Sequence, residues 1–517
     1  VRLHDYLDKG ASLGADRPCL TTDGTSMSYD DVVALSRQVA AALLARGLGA
    51  GGRVAILSAN DPVAFTCVFG ISRAGGVWCP INPRNEAAEN RELLELFGAE
   101  VVLFQSGFAP LVAAIRDDLP GVHTWVCLDA DDADDAALTF ADFLSSGAAA
   151  EVPEDHGPPG ADELAMLVGT GGTTGRPKGV MLTPTNIETM TALTLMGYPF
   201  DGPPVYLALA PLTHAAGVLC FPVLSLGGEV VIMRAPDVGG FLRLVQEHGV
   251  THTFLPPTLI YMVLGSPALE STDLSSLQCF WYGAAPMSAS RLEEALTRIG
   301  PVMAQLFGQT EAPMMISMMP PADHFRADGS IATERLTSSG RPAPLVNVAI
   351  LGEGDRPVAP GERGEICARS SLVMAGYWQN PDETARTLRN GWLHTGDIGF
   401  LDDEGFLHIV DRAKDMIITG GFNVYSTEVE QAVLAHEAVQ DCAVIGLPDE
   451  KWGERVVVVV QAHPGATVDP DELTAFVKQR IGSVKAPKEV HVWTDLPRSK
   501  VGKVLKTDIK AELAGPA

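Results

Sequence analysis

The sequence predicts an α/β protein in which a large N-terminal domain of β-sheets flanked by helices precedes a small C-terminal α+β domain. Three observations predict this. The chain has 517 residues, and a single core rarely grows past about 250–300 residues, so at least two domains are expected. Apolar residues make up 46 % and charged residues 20 %, a globular composition. Helical and extended apolar patterns alternate to about residue 290, and a different pattern takes over near Asp411.

In chain order, Ser28-Tyr29-Asp30-Asp31 reads as a capping box ahead of Val32, Leu35, Val39 and Leu43, which recur at helical spacing. Arg53–Leu57 reads as a buried strand. The acidic stretch 129–135 reads as a solvated loop, and 145–160, rich in Ala, Pro and Gly, as a connector. Residues 165–168 and 180–182 read as strands on either side of a glycine-rich loop, and Pro184-Thr185-Asn186 opens a helix. The longest uncharged run, between Asp201 and Glu229, contains Pro203, Pro204, Pro211, His214 and Pro222, so it reads as buried core, not as a membrane span. Near the end, 428–436 and 471–481 have helical patterning, whereas 441–447, 455–463 and Glu489–Trp493 read as strands. No internal repeat is present.

The net charge of −27 argues against nucleic acid as the main partner and against an anionic membrane surface. From Lys478 to Lys510, however, nine basic residues face three acidic ones, which suggests a local site for an anionic ligand. Arg2, His4, Asp5, Asp8 and Lys9 interrupt any signal pattern at the N-terminus. The eight cysteines all lie more than four residues apart, so no zinc knuckle or redox CxxC forms, and they read as buried thiols of a cytoplasmic protein. The twelve histidines include no HExxH, so the spacing suggests no protein-built metal cage.

The most informative stretch is Gly169-Thr170-Gly171-Gly172-Thr173-Thr174-Gly175-Arg176-Pro177-Lys178-Gly179. Glycines let the backbone turn its N–H groups inward, and threonine hydroxyls and a lysine add donors, so the segment suits a phosphate cradle. Pro177 precedes Lys178 and no helix follows directly, which excludes a Walker A loop, and GxGxxG does not fit. The loop resembles the phosphate-binding loop of the adenylate-forming superfamily, specifically its acyl-CoA synthetases. Further motifs follow in family order. Tyr282-Gly283-Ala284-Ala285-Pro286 resembles the adenine-site segment and Phe307-Gly308-Gln309-Thr310-Glu311 the aromatic-Gly-x-Thr-Glu motif. His394-Thr395-Gly396-Asp397 resembles the ribose-binding segment, Asp411-Arg412-Ala413-Lys414-Asp415 with Gly420-Gly421 the hinge, and Pro497 to Lys503 the C-terminal lysine motif.

The resemblance implies a multi-subdomain N-terminal domain over 1–410, a hinge at 411–414 and a mobile C-terminal domain over 415–517. It implies two half-reactions with ATP, Mg²⁺ and coenzyme A. A carboxylate attacks the α-phosphate of ATP, and a thiol then displaces AMP. Lys503 is implied as the main catalytic cation, with Lys500 and Lys506 left as surface charges. Glu311 is implied to hold Mg²⁺. Thr310 and the loop residues Thr170, Gly171, Gly172, Thr173, Thr174, Gly175 and Lys178 are implied to bind phosphates. Asp397 and Arg412 are implied at the ribose, Phe307 at the adenine, and Gly308, Gln309, Gly283, Ala284, Ala285 and Pro286 beside them. Lys414 takes the hinge position, Gly421 lines the pantetheine tunnel, and His214 matches an aromatic gate. Three positions depart from the family pattern: Gly171 replaces a hydroxyl residue, Phe307 a tyrosine, and Leu306 a frequent glycine.

The acyl pocket is expected to draw on Val218, Trp281, Tyr282, Met314 and Met315. Its segments, 212–221, 280–283 and 305–315, contain no Arg or Lys, which disfavours a dicarboxylate and favours a hydrophobic aryl, alicyclic or fatty acid. Two other readings stay open: an adenylating enzyme that loads a carrier protein, and a catalytically silent nucleotide-binding regulator. A kinase-like ATPase is excluded for lack of HRD and DFG signatures. A homodimer, and an acyl-carrier or downstream acyltransferase partner, also stay open.

Overall fold

The computed structural model describes residues 1–130, 137–153, 157–170, 177–412, 415–420, 422–449, 451–498 and 504–514. Residues 131–135 of the acidic stretch lie outside these.

The N-terminal part carries two large sheets and a smaller one. The eight-stranded sheet has the parallel strands Val77–Ile81, Arg53–Leu57, Val101–Phe104 and Thr124–Cys127 at its centre. Lys178–Leu182 and Gly376–Tyr377 close one edge. The nine-stranded sheet is parallel through Met303–Gln309, Cys279–Tyr282, His252–Leu255, Val205–Ala208 and Glu229–Ile232; Ala312–Met319 and then Arg341–Pro342 add antiparallel at one edge, and Pro18–Thr22 and Thr25–Ser28 complete the other. Parallel strands need crossover connections of about a dozen residues or more, usually helices, and these cover both faces of such sheets. One core joins the inner faces of both sheets with the helices Tyr29–Ala45, Pro62–Arg73 and Pro184–Gly197. Separate cores cover the outer faces.

Local signals act as expected where they are strong. Ser28 accepts from Asp31 N and Asp31 accepts from Ser28 N, so the capping box starts Tyr29–Ala45. Arg53–Leu57 is a buried strand with the expected bounds. Thr183 and Asn186 form a second reciprocal cap that opens Pro184–Gly197. Between Asp201 and Glu229 lie the strand Val205–Ala208 and two short, largely buried helices, Ala215–Val218 and Cys220–Ser225. All eight cysteines are free and buried.

Beyond residue 340 the chain forms a five-stranded sheet from Asn347–Leu351, Gly364–Arg369, Trp392–Leu401, Leu388–Arg389 and Leu407–Arg412. A small α+β domain follows. Its sheet pairs Val439–Asp449 with Gly453–Ala462, and Glu489–Trp493 joins in parallel. The helices Ser426–Leu434 and Pro470–Ile481 pack on one face. Among the described residues, the two cores of this domain contain none before Ile417. Among the described residues no helix is long and apolar enough to cross a membrane.

Candidate active site

The strands Met166–Thr170 and Lys178–Leu182 pair antiparallel with Thr170 opposite Lys178. The two ends of the glycine-rich segment are thereby fixed side by side. Gly171, Gly172, Thr173, Thr174 and Gly175 lie outside the described residues. Lys178 Nζ forms an ion pair with Glu383 and sits 5.0 Å from the ring centre of Tyr377. The Tyr377 hydroxyl donates to Glu311 Oε1 at 2.7 Å. Burial, reinforced by the Glu311 charge, raises the Tyr377 hydroxyl pKa above its ordinary value, so it stays a donor.

Glu311 owes its position to a hairpin. Met303–Gln309 pairs with Ala312–Met319, and Gln309 faces Ala312, so Thr310-Glu311 is the two-residue turn. A Cβ on Gly308 would lie 2.4 Å from Met314 N and 2.7 Å from Ala312 O, so only glycine fits there. The Glu311 carbonyl accepts from Met374 N at 2.8 Å. Among the described residues no hydrogen bond or ion pair engages Glu311 Oε2. One anchored and one open carboxylate oxygen suit Mg²⁺, which takes few protein ligands and keeps its waters.

The segment after Cys279–Tyr282 packs on the same hairpin. A Cβ on Gly283 would meet Leu306 O at 2.5 Å, and Ala284 takes a left-handed φ of +66°. This close approach sets Gly283, Ala284, Ala285 and Pro286 beside the chain leading into half-buried Phe307. On the hairpin's other flank, Gln309 Nε2 donates to Asp397 Oδ2 and to Thr395 O, both at 2.8 Å. Strand pairing sets Asp397 opposite Arg412, whose Nε lies 2.7 Å from Asp397 Oδ1. Gln309, Asp397 and Arg412 thus meet from three chain segments.

His214 immediately precedes the short helix Ala215–Val218, and its Nδ1 lies 2.8 Å from Thr213 Oγ1. Burial, aided by the Arg84 charge, pushes its pKa down to about 4, so the ring is neutral near pH 7. Val218 is buried and Met314, with φ +64°, half-buried. Trp281 and Tyr282 are separated by strand alternation. Trp281 enters the inner core among Tyr198, Phe200, Tyr206 and His252. Tyr282 enters an outer core, its hydroxyl 2.9 Å from His324 Nε2. Met315 is fully buried in the inner core.

Lys503, Lys500, Lys414 and Gly421 lie outside the described residues. Lys506 departs from the surface role expected of it. Its Nζ lies 2.7 Å from Glu430 Oε1, where burial opposes its charge but Glu430 and Asp411 hold its pKa above the ordinary value. Tyr377, Glu383 and Glu365 were not singled out from sequence. Their partners lie 66, 205 and 29 to 31 residues away, and no local pattern marks such contacts. Glu365, Cys367 and His394 also bring potential metal-donor atoms within 4.8 Å, which spacing did not reveal. There the Glu365 carboxylate is already engaged by His394, Gly396 and Arg389.

The ends of the glycine-rich segment, the acidic turn and the Asp397 cluster therefore adjoin one hairpin. Residues 7–378 match the family AMP-binding enzyme, and 428–503 match the AMP-binding enzyme C-terminal domain. The chain belongs to the AMP-binding enzyme family. Within it, the protein is an enzyme of the AMP-forming acid–CoA ligase group. It is 38 % identical over 509 residues to the medium/long-chain-fatty-acid–CoA ligase FadD8 of Mycobacterium tuberculosis, covering 96 % of this chain and 87 % of that one. It is 36 % identical over 489 residues to a feruloyl-CoA synthase of Amycolatopsis sp., covering 94 % of each. Among solved structures, the amide bond synthetase McbA of Marinactinospora thermotolerans superposes with a TM-score of 0.88 at 29 % identity, covering 98 % of this chain and 99 % of that one. This AMP-binding enzyme thus has the family's large α/β domain and small C-terminal domain.

Proposed function

We propose that the protein activates a hydrophobic carboxylic acid with ATP, releasing pyrophosphate, and then transfers the acyl group from acyl-AMP to coenzyme A. The observation that carries this reading is the turn Thr310-Glu311. Through Tyr377 it adjoins Lys178, and through Gln309 it adjoins Asp397 and Arg412. One hairpin therefore joins a phosphate-side cation, a metal-binding carboxylate and a ribose-side carboxylate.

The first half-reaction brings two anions together. At about 4 Å and an effective dielectric near 20, each unit-charge pair costs about 4 kcal/mol. Lys178 and the Thr170 and Thr310 hydroxyls lower that cost at the phosphates, and Asp397 accepts from the ribose hydroxyls. Lys178 exchanges its Glu383 partner for phosphate oxygens as the nucleotide enters. Glu311 holds Mg²⁺, which neutralises phosphate charge when bound. Lys503, from the C-terminal domain, supplies the remaining cation in this reading, and Phe307 lies against the adenine. For the second half-reaction the C-terminal domain turns about a hinge at 411–414. Lys414 pivots, Gly421 leaves room for the pantetheine arm, and neutral His214 gates the passage.

Support for a hydrophobic acid comes from the absence of Arg and Lys in 212–221, 280–283 and 305–315. The relatives named for medium/long-chain fatty acids and for ferulate point the same way. The test is pyrophosphate release over a panel of acids, with products identified by mass. Fatty and aryl-propenoic acids are expected to give acyl-CoA and AMP in equal amounts when coenzyme A is present. Release that ignores the acid, or acyl-AMP that never becomes acyl-CoA, contradicts the proposal.

A further inference from the structure

Asp397 reaches the ribose side of the site because its strand is interrupted. Where Gly364–Arg369 pairs with Trp392–Leu401, Glu365 faces Ile398 but Cys367 faces His394. One residue, Ile366, therefore lies opposite three, Thr395, Gly396 and Asp397. Such a bulge re-aims side chains and strips backbone groups of their ladder partners. The stripped groups are met in specific ways. Thr395 Oγ1 donates to Ile366 O at 2.7 Å, and Asp397 N donates to Thr395 Oγ1 at 3.1 Å. Gly396, at φ +71°, turns its N–H toward Glu365 Oε1 at 3.0 Å. Glu365 Oε2 lies 2.7 Å from His394 Nδ1. An ionised carboxylate only accepts, so Nδ1 carries the proton. Arg389 Nη2 stands 3.4 Å from Glu365 Oε2, and the same guanidinium is held by Asp355.

Resting on the reading that Asp397 binds the nucleotide ribose, we infer that Glu365 is a positioning residue for that contact. Its two oxygens grip the bulge on both sides of Thr395, at Gly396 N and at the His394 ring. That grip fixes the direction in which Asp397 leaves the strand. Its effect on nucleotide binding passes through the backbone of the bulge. Removing the grip loosens the aim of Asp397, and the energy specific to the ribose hydroxyls is lost first.

The test compares the affinity of the full-length protein for ATP and for 2′,3′-dideoxy-ATP, by calorimetric titration with Mg²⁺ and without acid. Hydrogen bonds to a charged group are worth roughly a factor of ten or more in affinity, so the wild type should prefer ATP by at least about ten-fold. Glu365→Met keeps the side-chain length but cannot accept, and should cut that preference at least about five-fold. Glu365→Gln keeps an acceptor for Gly396 N–H, but its amide can reach His394 Nδ1 only if the ring carries its proton on Nε2, which is buried without a partner, so it should keep more of the preference than Met without matching the wild type. Should the Met variant not fold, Glu365→Ser, too short to reach Gly396, answers the same question. If Met or Ser weakens both nucleotides equally, or neither, the positioning role is wrong while the ribose reading stands. If the wild type itself does not distinguish the nucleotides, the ribose reading fails and this inference with it.

Discussion

At the scale of single residues, Glu311 depends on a partner that the motif containing it does not include. Tyr377 is 5 % exposed, and its hydroxyl anchors one Glu311 oxygen at 2.7 Å. Losing a hydrogen bond to a charged group costs roughly 1.5–3 kcal/mol. Tyr377→Phe should therefore lower acid-dependent pyrophosphate release about ten-fold or more, and raise the Mg²⁺ concentration needed for half-maximal rate. Titrating Mg²⁺ against rate checks this, and an unchanged half-maximal Mg²⁺ would show that Tyr377 does not support the Mg²⁺ contact proposed for Glu311. Glu311, Asp397 and Arg412 could be singled out as candidates because they sit in contiguous motifs. Tyr377 and Glu365 could not, because their contacts exist only after strands distant in sequence pair.

At the scale of elements, the hairpin carrying Thr310-Glu311 tolerates little change at its base. Gly308→Ala would drive a Cβ to 2.4 Å from Met314 N, a backbone atom that cannot swing aside. Overpacking against backbone costs roughly 1–3 kcal/mol. The variant should melt at a lower temperature and lose most acid-dependent pyrophosphate release, since Glu311 and Gln309 both move with the turn. Melting curves and rates measured together check this, and full activity with normal melting would show that the turn accommodates a side chain. Elements with paired local signals were readable in advance, as with the reciprocal caps at Ser28 and Thr183. The strand Lys178–Leu182 was foreseen only from residue 180. Its first residues look like loop until Met166–Thr170 pairs with them. The bulge at Thr395 was invisible for the same reason, since it is a property of two strands.

At the scale of the whole molecule, buried histidines couple stability to pH. Burial pushes His252 and His324 each down to about 4 from an ordinary 6.5. The unfolded chain then binds more protons than the folded one between those values, so stability falls as pH falls through that window and is flat above it. Each histidine adds a slope of up to about 1.4 kcal/mol per pH unit. The melting temperature should hold between pH 8 and 7 and drop between pH 6.5 and 5. His252→Gln should reduce the drop, and an identical profile would show that His252 does not contribute to it. The division into a large and a small domain was legible from the change of pattern near Asp411. The ion pairing of half-buried Lys506 was not, because Glu430 and Ser426, its partners, lie on another helix of the small domain.

The central claim is reversible acyl-adenylate formation at the site around Glu311. The measurement that reaches it most directly is exchange of labelled pyrophosphate into ATP, run with fatty and aryl acids, with Mg²⁺ and without coenzyme A. The account predicts exchange that requires a hydrophobic acid and is nearly lost in Lys503→Ala, although that variant still binds ATP. Exchange that stays at background with every acid, or that survives intact in Lys503→Ala, would contradict it.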